Sequence, residues 1–112
     1  MDSINFSSYW NGNKYHHKLM NHYFSTIRLR NSQKWIVGKT LPIYIKKKYI
    51  KTAEILSVIN IRLADLPDVY YYLDTGYSKK ESIKMICTMY RLTEVEVNEK
   101  IFSMITFRTV EG

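Results

Sequence analysis

The segment Tyr23-Phe24-Ser25-Thr26-Ile27-Arg28-Leu29-Arg30 predicts a β-strand, because it is rich in aromatic and β-branched side chains and alternates with a period of two. Successive side chains of a strand point to opposite faces of its sheet. The face expected to pack on the core carries Tyr23, Ser25, Ile27 and Leu29. The opposite face carries Phe24, Thr26, Arg28 and Arg30.

The second face of this strand carries groups that are unusual for packing. Thr26 supplies a hydroxyl, and Arg28 and Arg30 supply planar guanidinium groups whose donors match anionic ligands and polar rings. This pattern favours a ligand-binding face. A half-exposed strand whose arginines are merely solvated is the alternative interpretation.

The composition of the chain is that of an ordinary globular protein. Its 112 residues are 46% hydrophobic and 24% charged, and they can bury one core without disulfides. No apolar run approaches the roughly 18 residues of a membrane span, and the first residues lack the pattern of a signal peptide. The single cysteine, Cys87, cannot form an internal disulfide. We therefore expect a single domain over residues 1–112 in a reducing cytoplasm, without membrane association.

The net charge of +7 is distributed unevenly along the chain. Residues 1–63 contain eleven Lys and Arg residues against two acidic residues, a net charge of +9. Residues 64–112 carry a net charge of −2. A basic half beside a nearly neutral half is typical of a protein with one face against a polyanion. Excess lysine that serves only solubility is the alternative.

Further strands are predicted on both sides of the first one. We expect a short extended segment at Ile4-Asn5-Phe6, strands over residues 41–45 and 49–63, and a closing strand over residues 101–110. Lys46, Lys47 and Lys48 lie in the bend before the longest strand, where charged residues discourage edge pairing. Together with Lys51 they are equally suited to contact phosphates in a nucleic-acid complex.

Two helices are predicted between the long strand and the closing strand. The first begins at Asp65, has Pro67 in its opening turn and ends at Gly76. Its expected buried stripe is Leu66, Val69, Tyr70 and Leu73. The second opens with a capping box of Ser78 and Glu81. Its expected buried stripe is Ile83, Ile86, Cys87 and Tyr90.

The three histidines, His16, His17 and His22, do not have the spacing of a metal site. His16 and His17 fall in a short helix predicted over residues 13–22, where neighbouring positions point apart. His17 and His22 miss the i, i+4 spacing of paired ligands, and no carboxylate or cysteine lies nearby in sequence. We therefore expect neither a bound metal nor a cofactor.

The element order predicts an α+β fold built on a small, partly closed β-barrel. Helices are inserted between the long central strand and the C-terminal strand. An open sheet of this size would leave both edges unprotected, which favours partial closure. Residues 92–100 are compatible with either a helical turn or a strand.

Several strings of residues resemble those of a known family. The strings that carry the resemblance are, in order, Asn21-His22-Tyr23-Phe24-Ser25-Thr26-Ile27-Arg28, Trp35-Ile36-Val37-Gly38-Lys39, a basic hairpin and Ile61-Arg62-Leu63-Ala64-Asp65-Leu66. Together these strings resemble an ASCH domain of the PUA-like superfamily. Asp74-Thr75-Gly76-Tyr77-Ser78 and the helix ending Met89-Tyr90 are also similar to small bacterial and phage members. The resemblance implies a pseudo-barrel with a cleft beneath the helical insert, used for RNA or modified nucleosides.

The resemblance also implies candidate catalytic residues. Some ASCH proteins hydrolyse the acetyl amide of N4-acetylcytidine with a lysine, a threonine and an acid, and a nuclease activity is attributed to relatives. Thr26 matches the threonine and Arg28 matches a nearby arginine, whereas Tyr23 occupies the lysine position. The acid aligns with Thr75, beside Asp74. A neutral phenol is a poor substitute for an amine that acts as a base, which weakens the match to this activity.

Two functions follow from these residues. In the first, the protein binds RNA or a modified nucleoside in a cleft lined by Tyr23, Thr26, Arg28 and Asp74, with little or no enzymatic activity. Arg28, Arg30 and the lysine bend contact phosphates while Tyr23 or Phe24 stacks on a base. In the second, it is a hydrolase of acylated or otherwise modified pyrimidines. Thr26 would hold or attack the substrate, Asp74 would act as acid and base, Tyr23 would donate a proton, and Arg28 would steady the oxyanion. A phage accessory protein that binds a host protein is a third possibility, and the oligomeric state is left open.

Overall fold

The computed structural model describes residues 2–6 and 19–111. The elements in chain order are β1 (Ile4–Phe6), β2 (Tyr23–Leu29), β3 (Thr40–Ile45), β4 (Lys48–Arg62), a 3₁₀ turn (Leu63–Asp65), α1 (Asp68–Thr75), α2 (Lys79–Tyr90), α3 (Glu94–Glu99) and β5 (Ile101–Glu111). The predicted helix over residues 13–22, with His16 and His17, lies outside the described residues apart from its last four positions.

The five strands form one curled sheet in the order β1-β3-β4-β5-β2. β1 pairs in parallel with β3, and the other neighbours are antiparallel. The Arg28 Nη2 donates a hydrogen bond to the Asn5 carbonyl oxygen at 3.3 Å and so connects the two edge strands, β2 and β1. Helices α1, α2 and α3 follow one another between β4 and β5 in the chain. The predicted α+β half-barrel with an inserted helical segment is therefore confirmed.

The core is divided between the two faces of the sheet. The inner cluster includes Ile4, Phe6, Leu41, Ile43, Ile55 and Phe107. The second cluster lies under the helices and includes Ile27, Leu63, Tyr71, Ile86, Val97 and Phe102. Because both faces of β2 and β5 are covered, strict apolar and polar alternation is lost along them.

The predicted core face of β2 is only partly correct. Ile27 packs in the cluster under the helices, as expected, but Tyr23 is 58% exposed. Phe24 and Thr26, expected on the outer face, are buried. The reason is that the curled sheet encloses that face as well, and the Phe24 ring stacks on Phe107 with centroids 5.0 Å apart.

A register shift in β4 reverses the phase of its side chains. The pairing with β5 skips Leu56, so that Ile55 and Ser57 face consecutive residues of the partner strand. An extra residue of this kind is a β-bulge, which bends the strand. After the bulge Val58 packs on the inner cluster and Ile61 packs under the helices. Ile55 and Ile61, which share one two-residue phase in the sequence, therefore pack on different faces of the sheet.

Helix α1 buries a different face from the predicted one. Of the expected stripe, Val69, Tyr70 and Leu73 are exposed, the last at 73%. The helix instead buries Tyr71, Asp74 and Thr75. Polar contacts set this orientation: the Tyr71 hydroxyl donates to the Leu63 carbonyl oxygen at 2.5 Å, and the hydroxyls of Thr75 and Ser82 are 2.7 Å apart. Helical periodicity counts apolar residues and does not register buried polar partners.

Capping residues set most ends of these helices, but α1 begins at Asp68 and not at the predicted Asp65, which lies in the 3₁₀ turn. Gly76 adopts a left-handed conformation after α1, with φ of 79°, as predicted. The Ser78 Oγ accepts a hydrogen bond from the Glu81 backbone N–H at 3.2 Å and starts α2. Residues 92–100, left open by the sequence, contain α3, which begins with a capping box of Thr93 and Glu96. The Thr93 backbone N–H holds the pKa of Glu96 below its usual value.

Among residues 2–6 and 19–111, no helix combines the length and the apolar character needed to cross a membrane.

Candidate nucleic-acid interface

The bend between β3 and β4 is a tight turn made of lysines, here called the lysine turn (Lys46, Lys47 and Lys48). β3 ends at Ile45 and β4 begins at Lys48, so two residues connect the strands. Lys46 and Lys47 have φ angles of 49° and 67°, which is the left-handed region at both positions. Two-residue hairpins favour this geometry, but Asn and Gly normally occupy it because a Cβ atom is strained there. The turn therefore holds two lysines in a conformation that lysine disfavours.

Two tyrosines flank the lysine turn. The rings of Tyr44 and Tyr49 meet edge to face with centroids 5.9 Å apart, and Tyr49 is 47% exposed. The Tyr49 hydroxyl lies 2.8 Å from the Thr52 Oγ1, which orients the ring. Cationic side chains next to an exposed aromatic ring are the usual components of a surface that binds single-stranded nucleic acid.

Strand β1 holds the lysine turn in place through Asn5 and Phe6. The Lys47 backbone N–H donates to the Asn5 Oδ1 at 3.0 Å, and the Lys46 backbone N–H donates to the Phe6 carbonyl oxygen at 3.1 Å. The carbonyl oxygen of the same Asn5 accepts the hydrogen bond from Arg28. Asn5 thus joins β2 to the lysine turn, and the two strained positions are rigidly supported.

Thr26 and Arg28 lie together on the inner face of β2. The Arg28 Nε donates to the Thr26 Oγ1 at 3.1 Å, and the guanidinium carbon lies 4.7 Å from the centroid of the Phe6 ring. Thr26 is only 1% exposed. Arg28 is half-buried, and its contacts lie within the protein. These contacts give Arg28 a structural role in closing the half-barrel.

Asp74 and Tyr23 lie on the other side of β2. The Ser25 hydroxyl donates to the Asp74 Oδ1 at 2.8 Å, which ties α1 to the strand. Because neighbouring residues of a strand point to opposite faces, the Thr26 hydroxyl is turned away from this carboxylate. Tyr23 lines a cavity of about 240 Å³ beside Ser25 and Leu73. Tyr23 and Asp74 thus lie on one side of β2 and the pair Thr26 and Arg28 on the other, so the four side chains do not share one cleft.

The remaining candidate ligand contacts divide into exposed and buried residues. Lys46, Lys47 and Lys48 are exposed, and so is Arg30, just after the end of β2. Phe24 is 5% exposed and stacked on Phe107, so it cannot stack on a base without unfolding the inner core. The Phe24 ring is therefore part of the inner core in this conformation and not of the exposed surface.

Lys51 also differs from its expected place on the surface. It is 6% exposed, and its Nζ donates to the carbonyl oxygens of Leu19 and Asn21, the latter at 3.0 Å. Its Nζ also lies 4.5 Å from the centroid of the Phe24 ring. Burial lowers the pKa of Lys51. Lys51 therefore does not belong to the exposed surface of the lysine turn.

The two acidic residues of the first 63 are already paired. The Lys39 Nζ lies 2.5 Å from the Asp2 Oδ2, and Arg108 forms an ion pair with Glu54. Neither carboxylate forms an ion pair with the lysine turn. The acidic residues of the basic half are therefore engaged away from the lysine turn.

Sequence reasoning missed Ser25, Asn5 and the burial of Lys51. A signal for Lys51 was present, because it shares the two-residue phase of Ala53 and Ile55, which are fully buried. No sequence signal distinguishes Asn5 from an ordinary exposed polar residue. Its role depends on the approach of two strands that are distant in the chain.

Two solved structures have a similar fold. Protein EF3133 from Enterococcus faecalis V583, a DUF984 protein, superposes with a TM-score of 0.69 at 9% sequence identity, over 99% of this chain and 81% of that chain. The ASCH domain from Lactobacillus crispatus JV V101 superposes with a TM-score of 0.60 at 16% identity, over 98% of this chain and 81% of that chain. No family model and no curated protein matches the sequence. The chain therefore has an ASCH-like fold, which confirms the resemblance seen in its sequence.

Proposed function

We propose that this protein binds single-stranded RNA through the lysine turn and Tyr49. The observation that carries the proposal is the pair of lysines at consecutive left-handed positions. Such strain persists only where the surrounding structure supports it, and it is concentrated at functional sites. Asn and Gly would form the same turn without strain, so the presence of lysine at both positions favours a role for its charge.

In the proposed mode of binding, the lysines contact the phosphates of the RNA and Tyr49 contacts a base. Lys46, Lys47 and Lys48 contact phosphates and supply a salt-dependent, sequence-independent attraction. Tyr49 supplies an exposed ring on which one base stacks, at a typical gain of about 1–3 kcal/mol per base. Arg30 is exposed as well and offers a further cationic contact near the other end of β4, where its backbone N–H donates to the Ile101 carbonyl oxygen. Arg28 contributes indirectly, by fixing β1 and thereby Asn5.

The proposal is tested by replacing the lysines with residues that suit the turn. The variant K46N/K47G/K48T keeps the left-handed conformation accessible and removes three charges. K80A/K84A/K100A removes three exposed lysines elsewhere and is the matched control. With a labelled single-stranded RNA of about 12 nucleotides, the first variant should bind roughly 10-fold or more weakly than wild type, and the control should bind within about 2-fold of it.

Three outcomes of this titration count against the proposal. If wild-type protein does not change the fluorescence anisotropy of the labelled RNA, it does not bind the RNA and the proposal is wrong. Equal losses in the two triple variants would assign the affinity to net charge alone. A variant Tyr49→Leu that binds as tightly as wild type would remove the stacking component.

A second candidate function, hydrolysis of an acylated pyrimidine, is favoured by the contact between Ser25 and Asp74. The Asp74 Oδ1 accepts a hydrogen bond from the Ser25 hydroxyl at 2.8 Å, and Ser25 and Tyr23 both line a cavity of about 240 Å³. A carboxylate in this position can act as general base towards a hydroxyl nucleophile. Ser25 then takes the role expected of Thr26, since Thr26 faces the inner core.

This second function is tested with N4-acetylcytidine by following the release of cytidine. Turnover should be lost in Ser25→Ala and in Asp74→Asn, and retained in Thr26→Val, which preserves the shape of the side chain. Turnover that survives the loss of both Ser25 and Asp74 would exclude this pair. No turnover in wild-type protein would exclude this function for this substrate.

A further inference from the structure

A cavity opens beside Lys51, separate from the lysine turn. Its volume is about 480 Å³, within the range of small-molecule sites in proteins. The lining residues are Leu19, Met20, Asn21, His22, Ile45, Ile50, Lys51 and Thr109. We call it the Lys51 cavity.

Lys51 is the unusual member of this lining. Lysine is almost never fully buried unless it is paired with an opposite charge, because removing an ammonium group from water is costly. Lys51 is 6% exposed, and the hydrogen bonds of its Nζ go to carbonyl oxygens of Leu19 and Asn21. Carbonyl dipoles satisfy two of the three ammonium protons but do not neutralise the charge.

No carboxylate in the N-terminal half can serve as the counter-ion. Asp2 is paired with Lys39, and Glu54 is paired with Arg108. Residues 7–18 contain no Asp or Glu in their sequence. Glu111 lies opposite Thr52 in the sheet, and Thr52 points to the face opposite from Lys51. Burial lowers the pKa of Lys51, which is the response of a cation that lacks a nearby anion.

We propose that the Lys51 cavity binds a small organic monoanion, such as a carboxylate with an apolar body. The ammonium group is a donor only, so it selects an acceptor oxygen, and one buried charge matches one anionic head. The apolar part of the ligand packs against Leu19, Ile45 and Ile50. The volume of the cavity limits the ligand to the size of a metabolite.

The proposal goes beyond RNA binding and does not depend on it. The lysine turn is exposed and faces solvent, whereas Lys51 lies inside the wall of the half-barrel. Removal of Lys51 should therefore abolish binding of the monoanion while leaving the salt dependence of RNA binding unchanged. Removal of the lysine turn should do the reverse.

Octanoate and 1-octanol are matched probes, since they share a chain and differ in the charge of the head. In calorimetric titrations at neutral pH, wild-type protein should bind octanoate roughly 10-fold or more tightly than 1-octanol. Lys51→Met should reduce that preference to less than about 2-fold. Lys48→Met removes the same charge from the exposed turn and should retain the preference.

Protection of the amine gives a measurement that needs no variant. Wild-type protein is treated with acetic anhydride, and acetylation of each lysine is followed by peptide mass spectrometry. Octanoate should slow acetylation of Lys51 several-fold and leave Lys48 unchanged.

Several results would overturn the proposal. In the titrations these are the absence of binding heat with octanoate, equal affinities for octanoate and 1-octanol, or a preference for octanoate that persists in Lys51→Met. In the acetylation experiment it is a rate at Lys51 that octanoate does not change. A reduced salt dependence of RNA binding in Lys51→Met would assign the amine to an RNA phosphate and would also overturn it.

Discussion

Arg28 shows how one side chain connects parts of the molecule that are distant in sequence. Its guanidinium contacts Thr26 on its own strand, the Asn5 carbonyl oxygen on the opposite edge of the sheet, and the ring of Phe6. The sequence predicted that Thr26 and Arg28 share a face, because that follows from the period of a strand. It did not predict that the opposite edge strand would take the guanidinium donors, since Asn5 lies 23 residues away.

Replacement of Arg28 by lysine should destabilise the fold by about 1 kcal/mol, because an ammonium group cannot span both oxygens and stack on a ring. The same change at Arg30, which is exposed, should alter stability by less than about 0.5 kcal/mol. The midpoint of urea unfolding measures both variants. Equal midpoints for the two would contradict the structural role of Arg28.

At the scale of elements, the lysine turn and α1 show where local pattern is informative. The three lysines between two strands predicted a hairpin bend, and the structure has one of two residues. Helix α1 was predicted with the wrong buried face, because Tyr71, Asp74 and Thr75 are fixed by hydrogen bonds to other elements. Periodicity predicts the existence of a helix well, and its rotation only when apolar contacts dominate.

The protein should become more stable when Lys46 and Lys47 are replaced by residues that favour left-handed backbone angles. The double variant K46N/K47G relieves the strain of a Cβ atom at two left-handed positions, and part of this gain is offset by the greater freedom of glycine when unfolded. A net gain of about 1 kcal/mol is expected, which corresponds to a rise in melting temperature of about 4–8 °C. Thermal unfolding followed by circular dichroism measures it. An unchanged or lower melting temperature would show that the lysines carry no strain, and would remove the main support for their functional role.

For the whole molecule, the fold class was predictable and the arrangement of the site was not. The order of strands and helices and the need to protect sheet edges are both properties of the sequence, and they led to the α+β half-barrel. The positions of Asp74 and Lys51 depend on which face of a curled sheet each element covers. For Asp74 this is decided by the hydrogen bonds that orient α1, and for Lys51 by the curl that brings β1 against β2.

The salt dependence of RNA affinity tests the proposed function most directly. Each phosphate contact to a single strand contributes about 0.7 to the slope of log K against log salt concentration. The variant K46N/K47G/K48T should therefore have a slope shallower than that of wild type by about 2, and K80A/K84A/K100A should keep the wild-type slope. Equal slopes for wild type and the first variant would contradict RNA binding at the lysine turn.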